Sequence, residues 1–437
     1  MGANRDLSII AVLAFTVLSG DLSAQSTKKT VRRHKVAETD SSALLTQAET
    51  AIEKKDYASA EPLLNKVTAK DPTNYLAWFD LGFVSSALGK TDASIAAYRK
   101  SVSAKPDVFE SNLNLGVMLA KAGQPDAEQF LHTATKLKPN AHVQEGQARA
   151  WLSLAKVLEK AKPDEAIEAY HQASALQPKD AEPHLSAGLL LEKQERVADA
   201  EQEYKQALAL DPTSTDALAG LANIYMRGQR YSEADDVLRK LLVARPNDAG
   251  AHMQLGRILA IGGHNEDAIA ELETALKLAP DDVDVRRDLA EVYVSADKFD
   301  QAEMQYRALL TAKPKDAELH ARLGKALMKQ RKFPEAQQEL LVAVQLKSDF
   351  GDAYDNLALA ANENKNYELA IKALEERAKF VPENPGTYFL RATTYDHLRD
   401  YKRAAENYHK FLEVAEGKFP DQEWQARHRL IAIEPKK

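Results

Sequence analysis

Prolines recur along this chain at a fixed interval. They stand at 72, 106, 139, 178, 212, 246, 280, 314 and 382, mostly 34 residues apart, and Ser348 occupies the one missed step. A constant period of this length means an array of one small supersecondary unit, because a single compact core imposes no such rhythm. Extending the interval outward gives about eleven repeats between Ser41 and Glu416. The repeats ending at Pro139 and Pro178 are one residue short in their central turn, and about six extra residues within 140–147 separate them. An array of this extent is expected to leave no stretch of the sequence long enough for a separate catalytic domain.

Within each repeat two positions are always small. Position 8 is Gly or Ala, as in Ala48, Gly82, Gly116, Ala290 and Gly324, while position 20 is Ala throughout except for Ser94. Helices approach to the lower end of the usual spacing only where side chains are this short, so the pair predicts the crossing point of two helices. Position 24 is always Leu or Tyr, and position 7 is Leu in eight repeats, with Gln47, Ala187 and Arg391 departing. These larger residues are expected to fill the space between neighbouring repeats. Gly89, Gly123 and Gly263 suit the turn between the two helices, and each proline ends the second helix, where its ring and missing N–H stop propagation. No repeat can enclose its own apolar face, so stability comes from stacking.

A 34-residue helix–turn–helix unit of this kind resembles the tetratricopeptide repeat. The second copy carries the resemblance in Trp78, Leu81, Gly82, Tyr98 and Pro106, and the match recurs over 41–416. The resemblance implies an all-α fold, a right-handed superhelical α-solenoid of about eleven helix–turn–helix repeats with a C-terminal capping helix. It further implies that first-helix positions 2, 5, 9, 12 and 13 line a concave groove that holds peptide. On this sequence those positions place an apolar patch early, at Phe79, Phe83, Leu113 and Val117. Later they place Asn223, Arg227, Arg257, Arg287, Lys325 and Lys329, with Glu291 and Glu318 interspersed, and Arg149 and Lys156 lie beside the insertion. The family's clamp for a peptide carboxylate wants a cation and an asparagine where this chain has Phe79 and Phe83, so that clamp is absent from this stretch. The aromatic pair is open to two uses, partner contact or half-buried packing between repeats. The cations are equally open to gripping an acidic segment or simply keeping the surface soluble.

The two ends read differently from the array. Leu7 to Leu18 is nearly all apolar, follows Arg5, and precedes Leu22-Ser23-Ala24, the pattern of an export signal over 1–24. About a dozen apolar residues fall short of the roughly 20 that span a bilayer, so no transmembrane span is expected in the mature chain. Residues 25–40 hold Lys28, Lys29, Arg32, Arg33 and Lys35 with little to bury, which predicts a flexible basic leader. Residues 417–437 hold a capping helix and tail, with Trp424, Leu430 and Ile431 expected on its packing side and Arg427, Arg429 and Glu434 in water. The absence of cysteine and of any Asn-X-Ser/Thr acceptor favours bacterial export, to the periplasm or beyond the cell.

Composition removes whole classes of chemistry. Zero cysteines exclude disulfides, thiol catalysis and thiolate-held metals. His184, His252 and His320 repeat every 68 residues at position 4, two repeats apart and too distant to share one metal, so they are read as helix-packing residues. Asp281-Asp282-Val283-Asp284 lacks the glycine and distal glutamate of a calcium loop, and no phosphate-binding glycine loop or nucleophile elbow occurs. No catalytic residue, metal or cofactor is therefore assigned. A net charge of −7 argues against a nucleic-acid partner, for which a basic surface is the norm. The expected function is a non-enzymatic scaffold that binds protein segments during envelope assembly or secretion, with a site across Phe79, Phe83, Leu113, Arg257 and Arg287. The alternative is a structural, self-associating component of a polysaccharide or outer-membrane export apparatus.

Overall fold

The structure is a computed structural model that describes residues 32–434; the expected signal and the first part of the basic leader lie outside them. All of the regular structure among the described residues is helical. The chain divides into two compact units, residues 1–220 and 221–437. The N-terminal unit pairs α1 (Arg32–Glu53) with α2 (Tyr57–Lys70), α3 (Tyr75–Ala87) with α4 (Thr91–Ala104), and α5 (Phe109–Lys121) with α6 (Ala127–Lys136). It continues with α7 (Val143–Leu158) against α8 (Pro163–Leu176) and α9 (Glu182–Lys193) against α10 (Val197–Leu210). The division falls inside α11 (Thr215–Arg227). The C-terminal unit holds α12 (Tyr231–Ala244), then α13 (Ala249–Ile261) with α14 (Asn265–Leu278), and α15 (Val283–Ser295) with α16 (Phe299–Ala312). Three more hairpin helices pairs follow: α17 (Ala317–Lys329) with α18 (Phe333–Leu346), α19 (Gly351–Glu363) with α20 (Tyr367–Arg377), and α21 (Pro385–His397) with α22 (Tyr401–Ala415). The helix α23 (Pro420–Ile433) closes the series.

The close approach inside a repeat has a more specific cause than the small pair alone suggested. A Cβ built on Gly82 would lie 2.7 Å from the Tyr98 ring, one on Gly116 2.6 Å from Leu131, and one on Gly324 2.5 Å from Leu340. The position-24 side chain therefore lies directly on position 8 of its own repeat. Position 20 touches the same place from the other side, since Ser94 Oγ donates to the Gly82 carbonyl at 2.7 Å. Tyr204 also reaches forward, and a Cβ on Gly220 of the next repeat would meet its ring at 2.4 Å. Position 24 thus packs within its repeat as well as between repeats.

The turn between paired helices puts one residue in left-handed backbone. Gly89, Gly123 and Gly263 take it with φ near +70°, but Lys55, Glu195, Gln229, Asp297, Arg331, Lys365 and Arg399 take it too, with φ from 55° to 62°. The hydrogen bonds explain why the chain accepts this strain. Lys332 N–H donates to Leu327 O at 2.9 Å and Arg331 N–H to Met328 O, a pattern that satisfies the last free carbonyls of α17 only if the intervening residue is left-handed.

The joints between repeats are tied by side chains at position 4. Trp78 Nε1 donates to Pro72 O at 2.9 Å, Asn112 Nδ2 to Pro106 O at 2.8 Å, and Arg286 to Pro280 O at 2.7 Å. His252 and His320 donate Nε2–H to Pro246 O and Pro314 O at 3.0 and 3.1 Å, and their Nδ1 atoms meet Glu271 and Glu339. One side chain thus links two helices of its own repeat to the proline that ends the preceding one.

Three boundary expectations change. Helix α1 begins at Arg32 rather than near Ser41, so the second part of the leader continues the first helix. The extra residues near 140–147 are only partly a loop: α7 has 16 residues where most first helices have 13, and the added turn rests through Gly146 on Pro139. On α23 the packing is made by Ala426 and Leu430, whereas Trp424 and Ile431 are 61% and 73% exposed. Arg429 and Glu434 are not idle in water either, because Arg429 pairs with Asp396 and Glu434 with His409.

Candidate functional site

First-helix positions 2, 5, 6, 9, 12 and 13 share one helical face, and the expected binding residues sit there in both units. In the N-terminal unit Phe79 lies on α3 with its ring 5.6 Å from Tyr98, and Phe83 meets Tyr57 edge-on at 5.7 Å. Both rings are half-buried against the core, so the packing use of this pair is realised while part of each stays open. Val117 is half-buried. Leu113 is only 5% exposed and offers a partner almost nothing, because α5 turns it into the interior.

Position 6 carries the more informative residue, one that was not among the expected binding residues. Asp80 follows Phe79 on α3, and the charge of Glu49 on α1 acts on it. Burial first, and that negative neighbour second, push its carboxyl up to about 7. Glu49 is raised as well, by burial and by Glu53. Nearby, Tyr98 is 2% exposed and its hydroxyl is pushed up by burial and by Asp80, while Arg149 on α7 works against both.

In the C-terminal unit two of the expected cations, Arg257 and Arg287, are paired with carboxylates, as is the neighbouring Arg322. Arg257 Nε meets Asp288 Oδ2 at 2.5 Å, Arg287 meets Asp284 at 3.0 Å, and Arg322 bridges Glu291 and Glu318 at 2.8 and 3.1 Å. Burial raises Asp288 despite the pull of Arg257 in the other direction. Asn223 is exposed and accepts from Gln254 at 3.1 Å, and Arg227 and Lys325 are exposed. The signal for these pairs was present as carboxylates at positions 2 and 6, which share the face with positions 5 and 9. The residues expected to form one site fall in different units: Phe79, Phe83 and Leu113 in the first, Arg257 and Arg287 in the second.

One side-chain chain has the order of a hydrolase triad. Ser174 Oγ lies 2.7 Å from His184 Nε2, and His184 Nδ1 lies 2.7 Å from Glu203, whose other oxygen meets His171 at 2.9 Å. A nucleophile of this kind needs paired N–H donors for the oxyanion. The N–H groups of Gln177, Asp180 and Glu182, which follow Ser174, are engaged by Ala173, Gln177 and Asp180. The arrangement ties α8, α9 and α10 together.

Residues 32–287 match the family model described as the cilia and flagella-associated protein 70 C-terminal domain. Residues 262–317, 287–349 and 321–386 match the tetratricopeptide repeat model. The chain is 35% identical over 89 residues to tetratricopeptide repeat protein 37 of Xenopus laevis, covering 20% of this chain and 6% of that protein. It is 31% identical over 118 residues to the tetratricopeptide repeat and J domain-containing co-chaperone DNJ1 of Fusarium oxysporum f. sp. lycopersici, covering 27% of this chain and 21% of the co-chaperone. It therefore spans a small part of either relative. Among solved structures, YrrB, described as a TPR protein with an unusual peptide-binding site, aligns at 24% identity with TM-score 0.41, over 43% of this chain and 96% of YrrB. MamA aligns at 23% identity with TM-score 0.37, over 39% of this chain and 92% of MamA. No helix among the described residues is long and apolar enough to cross a membrane.

Proposed function

Because this chain belongs to the tetratricopeptide-repeat family represented by the C-terminal domain of cilia and flagella-associated protein 70, we propose that it is a non-enzymatic scaffold that holds a segment of a partner protein along its first-helix face. The observation that carries this reading is the apolar content of that face in the N-terminal unit. Leu76 and Leu189 remain 44% and 40% exposed there, and Phe79, Phe83 and Val117 are half-open. A face kept only for solubility has no use for such residues. The apolar run of Leu7 to Leu18 before Ala24 supports an exported location, periplasmic or secreted, and with it a role in envelope assembly or secretion.

A photo-crosslinking residue placed at Leu76 tests the reading in cells, with Val243, 86% exposed on α12, as the control position. Discrete protein adducts at Leu76 and none at Val243 are expected. Equal adducts at the two positions, or none at Leu76, refute it. Trp424 and Ile431 favour a second reading, self-association through α23, and an unchanged mass in light scattering for Trp424→Ala with Ile431→Ser at high concentration argues against that alternative.

A further inference from the structure

Position 4 ties a first helix to the proline that ends the preceding repeat. Trp78, Asn112 and Arg286 do this with donors that keep their protons throughout the neutral range. His252 and His320 are different in kind. His252 meets Pro246 O at 3.0 Å through Nε2 and Glu271 at 2.6 Å through Nδ1. His320, two repeats later, meets Pro314 O at 3.1 Å and Glu339 at 2.7 Å in the same way.

A neutral imidazole carries one N–H and one bare acceptor nitrogen. Both neighbours of each ring are acceptors, a backbone carbonyl on one side and a carboxylate on the other. With a single N–H, one ring nitrogen would turn its lone pair on another lone pair, and only 13% and 12% of these side chains are open to water that could intervene. A second proton removes the conflict. It belongs on the ring rather than on the carboxylate, because each glutamate also feels a cation from the preceding helix. Arg307 of α16 lies 3.9 Å from Glu339, and Arg239 of α12 attracts Glu271. The other charged groups at these joints are Asp235 and Asp267 around Arg239, and Glu303 and Glu335 around Arg307. Arg245 and Asp248 lie within two residues of Pro246, and Lys313, Lys315, Asp316, Glu318 and Lys347 surround Pro314.

We propose that His252 and His320 are pH-sensitive latches of the C-terminal unit, each closing its joint as an imidazolium that donates at once to the proline carbonyl and to the glutamate. The closed joint then holds one proton more than the open one. Its extra stability is complete below about 6.5, where a free imidazole is charged as well, and is lost as pH rises and the closed joint gives up that proton. The α12–α13 and α16–α17 joints therefore tighten on the acid side and loosen on the alkaline side. His184 has the same position and a different partner. Its Nδ1 meets Glu203 at 2.7 Å, but its Nε2 lies 2.7 Å from Ser174 Oγ, and a hydroxyl can donate. A neutral His184 is satisfied on both sides.

Ring nitrogen resonances of the full-length protein, assigned by their loss in single His→Asn variants, read the protonation state. At about pH 7.5, where a free imidazole is mostly neutral, His252 and His320 are expected to show two protonated ring nitrogens and His184 only one. Hydrogen exchange, corrected for the intrinsic pH dependence of amide exchange, reads the joints. Protection at the α12–α13 and α16–α17 joints is expected to fall about tenfold or more between about pH 6 and about pH 9, the scale of one charge-assisted hydrogen bond. The α14–α15 joint, tied by Arg286, is the reference within the same chain and should hold steady.

His252→Asn separates the latch from mere packing. Asparagine already ties a first helix to its proline at Asn112, so the variant keeps a donor for Pro246 O and loses the titrating ring. It should abolish the pH response at the α12–α13 joint and leave that at α16–α17 intact. The comparison of joints within the wild-type chain stands even where a variant fails to fold. Neutral rings at His252 and His320 at pH 7.5, protection that does not change with pH, or an equal fall at the Arg286 joint or in His252→Asn each overturn the proposal.

Discussion

Asp80→Asn should make the N-terminal unit more stable, and by an amount that depends on pH. In the unfolded chain an aspartate ionises near 3.8, while in the fold Asp80 ionises at about 7. Between those values the folded state holds a proton that the unfolded state has lost. Stability therefore falls as pH rises through this window, by about 1.4 kcal/mol per unit, and levels off above about 7. Below the unfolded value the group is neutral in both states and contributes no penalty. A shift of roughly three units corresponds to about 4 kcal/mol at pH 8, and the water that still reaches this half-buried side chain reduces it to about 2–4 kcal/mol. Asparagine is neutral throughout, so the variant should gain that amount at pH 8 and almost nothing at pH 4. Stacked repeats open locally, which makes hydrogen exchange of the α3 and α4 peptides the suitable assay. Greater protection of these peptides at pH 8 and equal protection at pH 4 is expected. A gain of the same size at both pH values, or a loss at pH 8, would falsify the electrostatic account of this site.

Other perturbations address the packing. Gly324→Val should destabilise the C-terminal unit by about 1–3 kcal/mol or more, because its first carbon already meets Leu340 at 2.5 Å; thermal unfolding of the variant reports it. Leu323→Ala, fully buried on α17, should lower stability by about 2–5 kcal/mol and loosen the adjacent repeats most, as read by hydrogen exchange along the chain. Arg331→Gly removes a side chain from left-handed backbone at φ 61° and should stabilise by about 0.5–1 kcal/mol in urea unfolding, with an unchanged or lower midpoint counting against the strain argument.

The parts of the fold legible in advance are those set by local chemistry repeated many times. Proline cannot continue a helix, small residues mark close approach, and one interval copied along the chain sets where each hairpin begins and ends. The non-glycine residues in left-handed turns were hidden because Lys55 or Arg399 carries no local preference for that conformation; the demands of the helix end impose it. The role of position 4 was hidden for a related reason. Trp78, Asn112, His252 and Arg286 share no composition, only a donor atom that reaches a proline carbonyl six residues back.

The candidate site divides along the same line. Spacing alone was enough to put Phe79, Phe83, Arg257 and Arg287 on one face of their helices, because a face is a matter of period. Whether a charge on that face is free depends on side chains brought together from different helices. Asp288 neutralises Arg257 from 31 residues away, whereas the charge that acts on Asp80 is that of another carboxylate, Glu49. Period belongs to the chain itself and can be read along it. Pairing and desolvation arise between helices, and only the packed structure decides them.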